Sequence, residues 1–376
     1  MVNPGTRLIW LDALRLCAGL SMVGLHASAD PAGQPWAAYV EVERIAPMLL
    51  RAVLYVARTE LFLIISVFLL ILALEKRPRS YGQVICQQSR RLLVPFTFWT
   101  LFYAFYSLNK AHAFGYAESA WAALASPREW PGFLLLGSIK YHMHFIPTLF
   151  GMLLLLPLYR TAARFPVLGL GLLPLLLIRR ELDGVLYAEL WGADILPYLA
   201  RTVKILTYAG YGMAAAAFYT VWTRMGRRDL AQWAGPVLLA GGLMFAMKLA
   251  AAWKTVEAGQ WPFSFAPGYW ADYLMPVLLF ALCMCLGRRQ WPPLLSQLAP
   301  FSFGIYLCHP IFLDLGEIWL RGTDWAPIWQ ILAKIAFALP ATVLLVWLIS
   351  RTHVLAWTIG LGDLPRLRRR RPSQSV

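Results

Sequence analysis

Apolar runs of bilayer length follow one another along nearly the whole chain, and few folds can accommodate that pattern. A membrane-spanning helix needs around 20 apolar residues, because the hydrocarbon core is ~30 Å thick and a helix rises ~1.5 Å per residue. Ten such runs are legible, near residues 8–27, 58–75, 92–109, 142–159, 166–179, 202–222, 232–252, 268–287, 301–319 and 328–350. The fifth carries Pro166 and Pro174 and is expected to be short or broken. Residues 45–57 are too few to span beside the second run and read as an amphipathic lead-in to it. Hydrophobic residues make up 59% of the 376 and charged residues 14%, which leaves no visible water-soluble domain. The expected fold is all-α: a polytopic membrane helix bundle of about ten transmembrane helices over residues 1–360, followed by a basic tail at 361–376. No fixed-period repeat and no inverted repeat of the transporter kind is evident.

The formal net charge of +15 does not point to nucleic acid, because the basic residues sit in short loops between apolar runs. Lys76, Arg77, Arg79, Arg90 and Arg91 crowd the loop after the second run, and Arg160, Arg164, Arg224, Arg227, Arg228, Arg288 and Arg289 follow even-numbered runs. The tail adds Arg351, Arg366 and Arg368 to Arg371, whereas alternate loops carry Glu41, Glu43, Glu118, Glu129, Asp183 and Asp194 among mixed charges. The positive-inside rule then sets both termini in the cytoplasm. The first run lacks a small-residue cleavage site and reads as a retained span. Its cysteines and the others, five in all, show no paired extracellular pattern, so disulfides are not expected.

That first run, LIWLDALRLCAGLSMVGLHA, holds Asp12, Arg15 and His26. Ionisable groups at membrane depth cost roughly 2.5–3.5 kcal/mol on insertion scales and usually mark a functional pathway. Arg15 and His26 are eleven residues apart, close to three helical turns, so they share a face. Their levels along the axis differ by about 16 Å. Asp12 and Arg15 are three apart and can neutralise one another. The residues alone fit a buried ion pair with an interfacial histidine as well as a functional pathway.

Three further stretches carry chemistry. Arg90 and Arg91 meet the mouth of the third run, where an arginine fork suits phosphate oxygens. Tyr141-His142-Met143-His144-Phe145 edges the fourth run, and no nearby Cys, Asp or Glu completes a metal set, so no metal is expected. The stretch reads as an interfacial aromatic belt or as part of a pocket for a polar acceptor. Pro300 to Pro310, PFSFGIYLCHP, places Tyr306 and His309 on one helix face, for a structural hydrogen bond or a direct role.

Taken together these blocks resemble the acyltransferase-3 family of integral membrane acyltransferases, which modify cell-surface glycans and other hydroxyl-bearing acceptors. The resemblance rests on LDALRLCAGLSMVGLHA, LFLIISVFLL around Ser66, RRLLVPFTFW, YHMHFIPTLFGMLLLLPLY and FSFGIYLCHPIF, in that order along the chain. Three positions depart from the family pattern: Gln88 stands where a second basic residue is frequent, Val67 where a small one is, and His144 where a tryptophan is. The resemblance implies transfer of an acyl group, most simply acetyl, from cytoplasmic acyl-CoA to a hydroxyl of a surface or lipid-linked glycan. It implies a multi-pass protein of the bacterial inner membrane, in contact with lipid, with glycan as partner, no nucleic acid, and room for a homo-oligomer. The site residues it suggests are His26, Arg15 and Asp12 for catalysis, Arg90, Arg91 and Ser66 for the acyl-CoA, and His142, His144, Tyr306 and His309 for the acceptor. His26 would act as general base or as covalent acyl carrier. A transporter or flippase of a lipid-linked sugar, without acyl chemistry, is the competing class.

Overall fold

The computed structural model describes residues 8–363 apart from Phe263. Among these residues every regular element is helical. In chain order the α-helices are α1 (Ile9–Ala27), α2 (Glu41–Leu54), α3 (Thr59–Lys76), α4 (Tyr81–Phe114), α5 (Ala117–Ala125), α6 (Phe145–Leu153), α7 (Leu156–Arg164) and α8 (Leu172–Glu189). They continue with α9 (Leu196–Thr207), α10 (Ala209–Arg224), α11 (Arg227–Ala231), α12 (Ala234–Ala258), α13 (Ala266–Cys285), α14 (Leu294–Leu298), α15 (Ser302–Trp319) and α16 (Pro327–Arg351).

Seven helical segments are long and apolar enough to cross a membrane, and an eighth is counted if α6 and α7, bent by 62°, form one span. These match eight of the ten expected runs. The stretch 166–179 opens instead as a 3-10 turn, Pro166–Gly171, and α8 then runs into Arg179, Arg180, Glu181 and Asp183, which interrupt its apolar character. The stretch 202–222 is divided at Tyr208 between α9 and α10. At 16 residues α10 is short, and it packs so closely that a Cβ on Gly212 would lie 2.2 Å from the Tyr159 ring. The lead-in before the second span is α2 followed by the turn Tyr55–Ala57. The expected basic tail lies outside the described residues from residue 364 onward, including the arginines that weigh on the terminal orientation.

The first helix is the hub. It touches α2, α3, α13, α14, α15 and α16, and Trp10 wedges it against Phe68, Trp222 and Phe280 with ring centroids 5.3–5.9 Å apart. Edge-on and tilted aromatic pairs of this kind add to simple burial. They fix the level of α1, and with it Arg15 and His26. A separate apolar cluster at the His26 end gathers Ala27, Trp36, Met48, Val256, Leu313 and Ile331.

The helix that carries Arg91 starts from a reciprocal cap: Gln83 N–H donates to Ser80 Oγ at 3.4 Å, and Ser80 N–H donates to Gln83 Oε1 at 3.1 Å. It runs 34 residues and ends at Gly115, whose φ of 80° is the left-handed conformation that terminates helices.

Candidate active site

A cavity of about 510 Å³ opens between α1, α3, α4, α6 and α15. Arg15, Ser66 and Arg91, from three different helices, all line it. Arg79, Gln87 and Gln88 share the same wall, and the rest is mostly apolar, with Phe62, Leu149 and Phe303 among it. A concave, largely apolar pocket with a few convergent polar groups is the usual form of a small-molecule site. Arg90 lies elsewhere, bordering a shallow groove with Gly82, Gln83 and Cys86. The reason is helical geometry, since neighbouring residues point ~100° apart while Gln87 and Gln88 lie four and three before Arg91. The basic partner of Arg91 at this wall is Arg79, whose guanidinium hydrogen-bonds Gln87 and whose carbonyl accepts from Arg160 at 3.1 Å. Sequence reasoning set Arg79 aside as a topology signal; its place just before the Ser80 cap, where the chain reverses, is the feature that brings it over the cavity.

Arg15 and Asp12 face each other loosely, Nη1 to Oδ1 at 3.9 Å. The firmer contact of Asp12 is Ser296 of α14, which donates to Oδ2 at 2.8 Å. Asp12 therefore does not depend on Arg15 alone, and Arg15 keeps its place on the cavity wall.

At its deep end the cavity stops at Tyr306, whose hydroxyl donates to the His142 carbonyl at 2.5 Å. Behind that bond, three of the chain's six histidines, His26, His142 and His309, gather from α1, the loop before α6 and α15. His26 stacks on His309 with centroids 5.3 Å and planes 18° apart, and Tyr141 lies 4.2 Å from His26 on centroids. The His142 ring sits edge-on to Tyr103, Tyr306 and His309, each at 5.3 Å. Tyr103 is held in turn by its hydroxyl on the Leu307 carbonyl at 2.6 Å.

The loop that delivers His142 turns at Gly137. Its φ is 68°, and a Cβ there would lie 2.6 Å from the Met143 carbonyl carbon, so only glycine fits. Lys140 anchors the same loop through Asp314 at 2.5 Å.

His309 is set by the proline that follows it. Pro310 has no N–H, so the Tyr306 carbonyl loses its helical donor. The His309 Nδ1–H takes that carbonyl at 2.8 Å. A carbonyl only accepts, so the proton sits on Nδ1 and Nε2 carries the lone pair. His309 is fully buried, and its Nε2 has no hydrogen-bond partner among the described residues. The same holds for His26 Nε2 and for both ring nitrogens of His142. His144 turns away toward α9, where Arg201 donates to its carbonyl at 2.6 Å.

A buried charge network that sequence reasoning missed continues past the histidines. Asp314 and Glu317, one turn apart on α15, meet Lys110 of α4, Lys140 and Lys334 of α16. Their i, i+3 spacing inside the ninth apolar run was the available signal. Beyond Glu317 a second cavity of about 260 Å³ is lined by Asp30, Trp36, Tyr39, Gln330 and Lys334. Among the described residues no group of three or more His, Cys, Asp or Glu side chains is arranged to hold a metal ion.

The arrangement is thus an arginine-lined pocket at one end of α1, and a set of buried imidazoles with unpartnered ring nitrogens among the described residues at the other. No curated protein and no solved structure gives a match to the chain. The acyltransferase domain model of the acyltransferase-3 family, however, matches residues 8–351. The chain, an all-helical protein with multiple apolar helices of membrane-crossing length, belongs to the acyltransferase-3 family.

Proposed function

We propose that the protein is an acyl-CoA-dependent O-acyltransferase that moves an acyl group, acetyl in the simplest case, to a hydroxyl of a cell-surface or lipid-linked glycan. The observation that carries this reading is the convergence of Arg15, Ser66 and Arg91 on one cavity that ends at Tyr306, directly beneath the histidine group. The positive-inside reading sets the arginine mouth in the cytoplasm and the histidines toward the outside of a bacterial inner membrane. Acyl-CoA is anionic and cytosolic, so its phosphates suit Arg91 and Arg79, whose guanidinium forks match phosphate oxygens. Arg15, deeper in the cavity, is suited to polarise the thioester carbonyl as negative charge develops on its oxygen.

A histidine Nε2 then takes the proton of the acceptor hydroxyl, the oxygen attacks the thioester carbon, and the C–S bond breaks. The thiolate of CoA leaves and recovers a proton, so one ester and one thiol form from one thioester and one alcohol. His26 is the proposed base, with His309 stacked on it; a covalent acyl-His26 intermediate uses the same atoms in two steps. The levels of Arg15 and His26 differ by about 16 Å, so the thioester must reach the deep end of the cavity, by Tyr306, before transfer.

Inverted membrane vesicles, cytoplasmic face outward, supplied with radiolabelled acetyl-CoA test the reading. Label should accumulate as alkali-labile ester on lumenal glycan, and only with His26 intact. Glycan that crosses the membrane without gaining label would favour the flippase class.

A further inference from the structure

A cluster of cations lies outside the proposed acyl-transfer site. We propose that Arg58, Arg179, Arg201 and Lys204, beside the histidine loop, form a binding site for a phosphate-type anion. This deepens the proposed function by giving the acceptor a phosphate group, and it rests on that reading only for which molecule brings the phosphate.

Three of the four cations surround two adjacent tyrosine rings, Tyr208 and Tyr273, whose centroids are 6.4 Å apart. The Arg179 guanidinium carbon lies 4.7 Å from one ring and 4.8 Å from the other. Arg58 lies 4.8 Å from the Tyr273 ring, and the Lys204 ammonium 5.3 Å from the Tyr208 ring. Aromatic faces hold cations in place while leaving N–H edges free to donate.

The carboxylates nearby are already engaged. Glu60 receives Arg58 Nε on one oxygen at 2.8 Å and the Tyr208 hydroxyl on the other at 2.5 Å. Asp183 takes Arg179 Nε at 3.1 Å, and Asp272 is matched by its own lysine, Lys248, at 2.5 Å. Four cations thus face two carboxylates. Arg179 is 8% exposed, yet its buried Nη1 has no hydrogen-bond partner among the described residues. Lys204 makes no hydrogen bond or ion pair among them either.

An unmatched cation removed from water is strongly unfavourable. An anion with several oxygens relieves it, and arginine forks beside an ammonium are the usual donors for phosphate. The location gives this a purpose. Arg201, one turn before Lys204 on α9, donates to the His144 carbonyl at 2.6 Å and to Thr148 Oγ1 at 2.9 Å. His144 is two residues from His142, so a sugar attached to a phosphate held here would lie toward the histidines. A lipid-borne phosphate and a free one share this chemistry.

The test follows the thermal midpoint of the detergent-purified protein against farnesyl diphosphate, inorganic diphosphate and farnesol. Farnesyl diphosphate should raise the midpoint saturably, farnesol should not, and Lys204→Gln should need at least tenfold more ligand for the same rise. Lys204→Arg should keep the wild-type response. The Lys204 side chain makes no hydrogen bond or ion pair among the described residues, and Lys204→Arg controls for loss of its contact with the Tyr208 ring. A response to inorganic diphosphate at the same concentration assigns the site to a free anion; a response to the farnesyl compound alone assigns it to a lipid carrier. Equal responses of wild type and Lys204→Gln, or of farnesol and its diphosphate, would overturn the proposal. None of these readouts needs acyl transfer, so failure here leaves the transferase reading standing, and the reverse.

Discussion

The two ends of α1 face opposite problems. At the Arg15 end the site is open: Arg15 and Arg91 both line a cavity, and Arg91 makes no hydrogen bond or ion pair among the described residues. At the His26 end everything around the rings is tied down. Tyr306 is bonded to the His142 carbonyl, Tyr103 to Leu307, Lys140 to Asp314 and His309 Nδ1 to Tyr306, and the imidazoles pack ring on ring. On the proposed reading, the first end admits the large, flexible anion of the acyl donor. The second is built to orient a few nitrogen atoms and to keep water from them. Between the two, the Tyr306 hydroxyl on the His142 carbonyl forms a bonded layer that joins the cavity wall to the histidine group.

Five substitutions, one of them a control, would break or sharpen that contrast. The largest effect is expected at the closed end, where His26→Ala should lower kcat by about 10²–10⁴-fold, the usual worth of a general base. Membrane abundance should stay near wild type by quantitative blotting; turnover above a tenth of wild type would remove proton transfer from His26.

At the open end, Arg91→Gln should raise the apparent KM for acetyl-CoA about 10- to 100-fold, since a charge-assisted bond is worth roughly 1.5–3 kcal/mol. The acceptor KM should not move. Arg90→Gln serves as the internal control and should change neither constant by more than about twofold, because the residue faces another groove. Equal losses for the two arginines would mean that both act on topology.

A smaller change is expected from Pro310→Ala. It returns an N–H to compete for the Tyr306 carbonyl, so His309 is released from its fixed tautomer. Stability should rise slightly while kcat drops about fivefold, the worth of one neutral hydrogen bond. An NMR signal from selectively labelled histidine should show mixed Nδ1 and Nε2 tautomers where the wild type shows one.

The smallest effect belongs to the dividing layer. Tyr306→Phe removes one hydroxyl bond, about 1 kcal/mol of stability. Its signature is a raised ratio of futile acetyl-CoA hydrolysis to ester formation, measured by thiol release against label in glycan. An unchanged ratio would show that the layer does not shield the thioester from water.

Much of this contrast was legible in the chain because it depends on spacing along one helix. Arg15 and His26 are three turns apart wherever α1 sits, Arg91 stands out as one of a basic pair at the mouth of an apolar run, and Ser66 is legible only through the family resemblance. What could not be read depends on rotation and on contacts far apart in sequence. Whether Arg90 or Arg91 faces α1 turns on ~100° of helix phase, which two adjacent arginines cannot reveal. The Asp314 and Glu317 network reaches Lys110 and Lys140, more than 170 positions away, so only packing assembles it. The span count shows the same limit. Hydropathy marked 166–179 and 202–222 as spans, whereas prolines, the charges of α8 and the division at Tyr208 leave shorter pieces there.

The central claim is that binding of the donor and chemistry on it belong to opposite ends of α1. Its most direct test is equilibrium binding of radiolabelled acetyl-CoA to detergent-purified wild type, Arg91→Gln and His26→Ala, with CoA thiol release followed in the same samples. The account predicts that His26→Ala binds acetyl-CoA as tightly as wild type yet releases no CoA, while Arg91→Gln binds at least tenfold more weakly. A His26→Ala protein that lost affinity as Arg91→Gln does, or that kept releasing CoA at the wild-type rate, would contradict it.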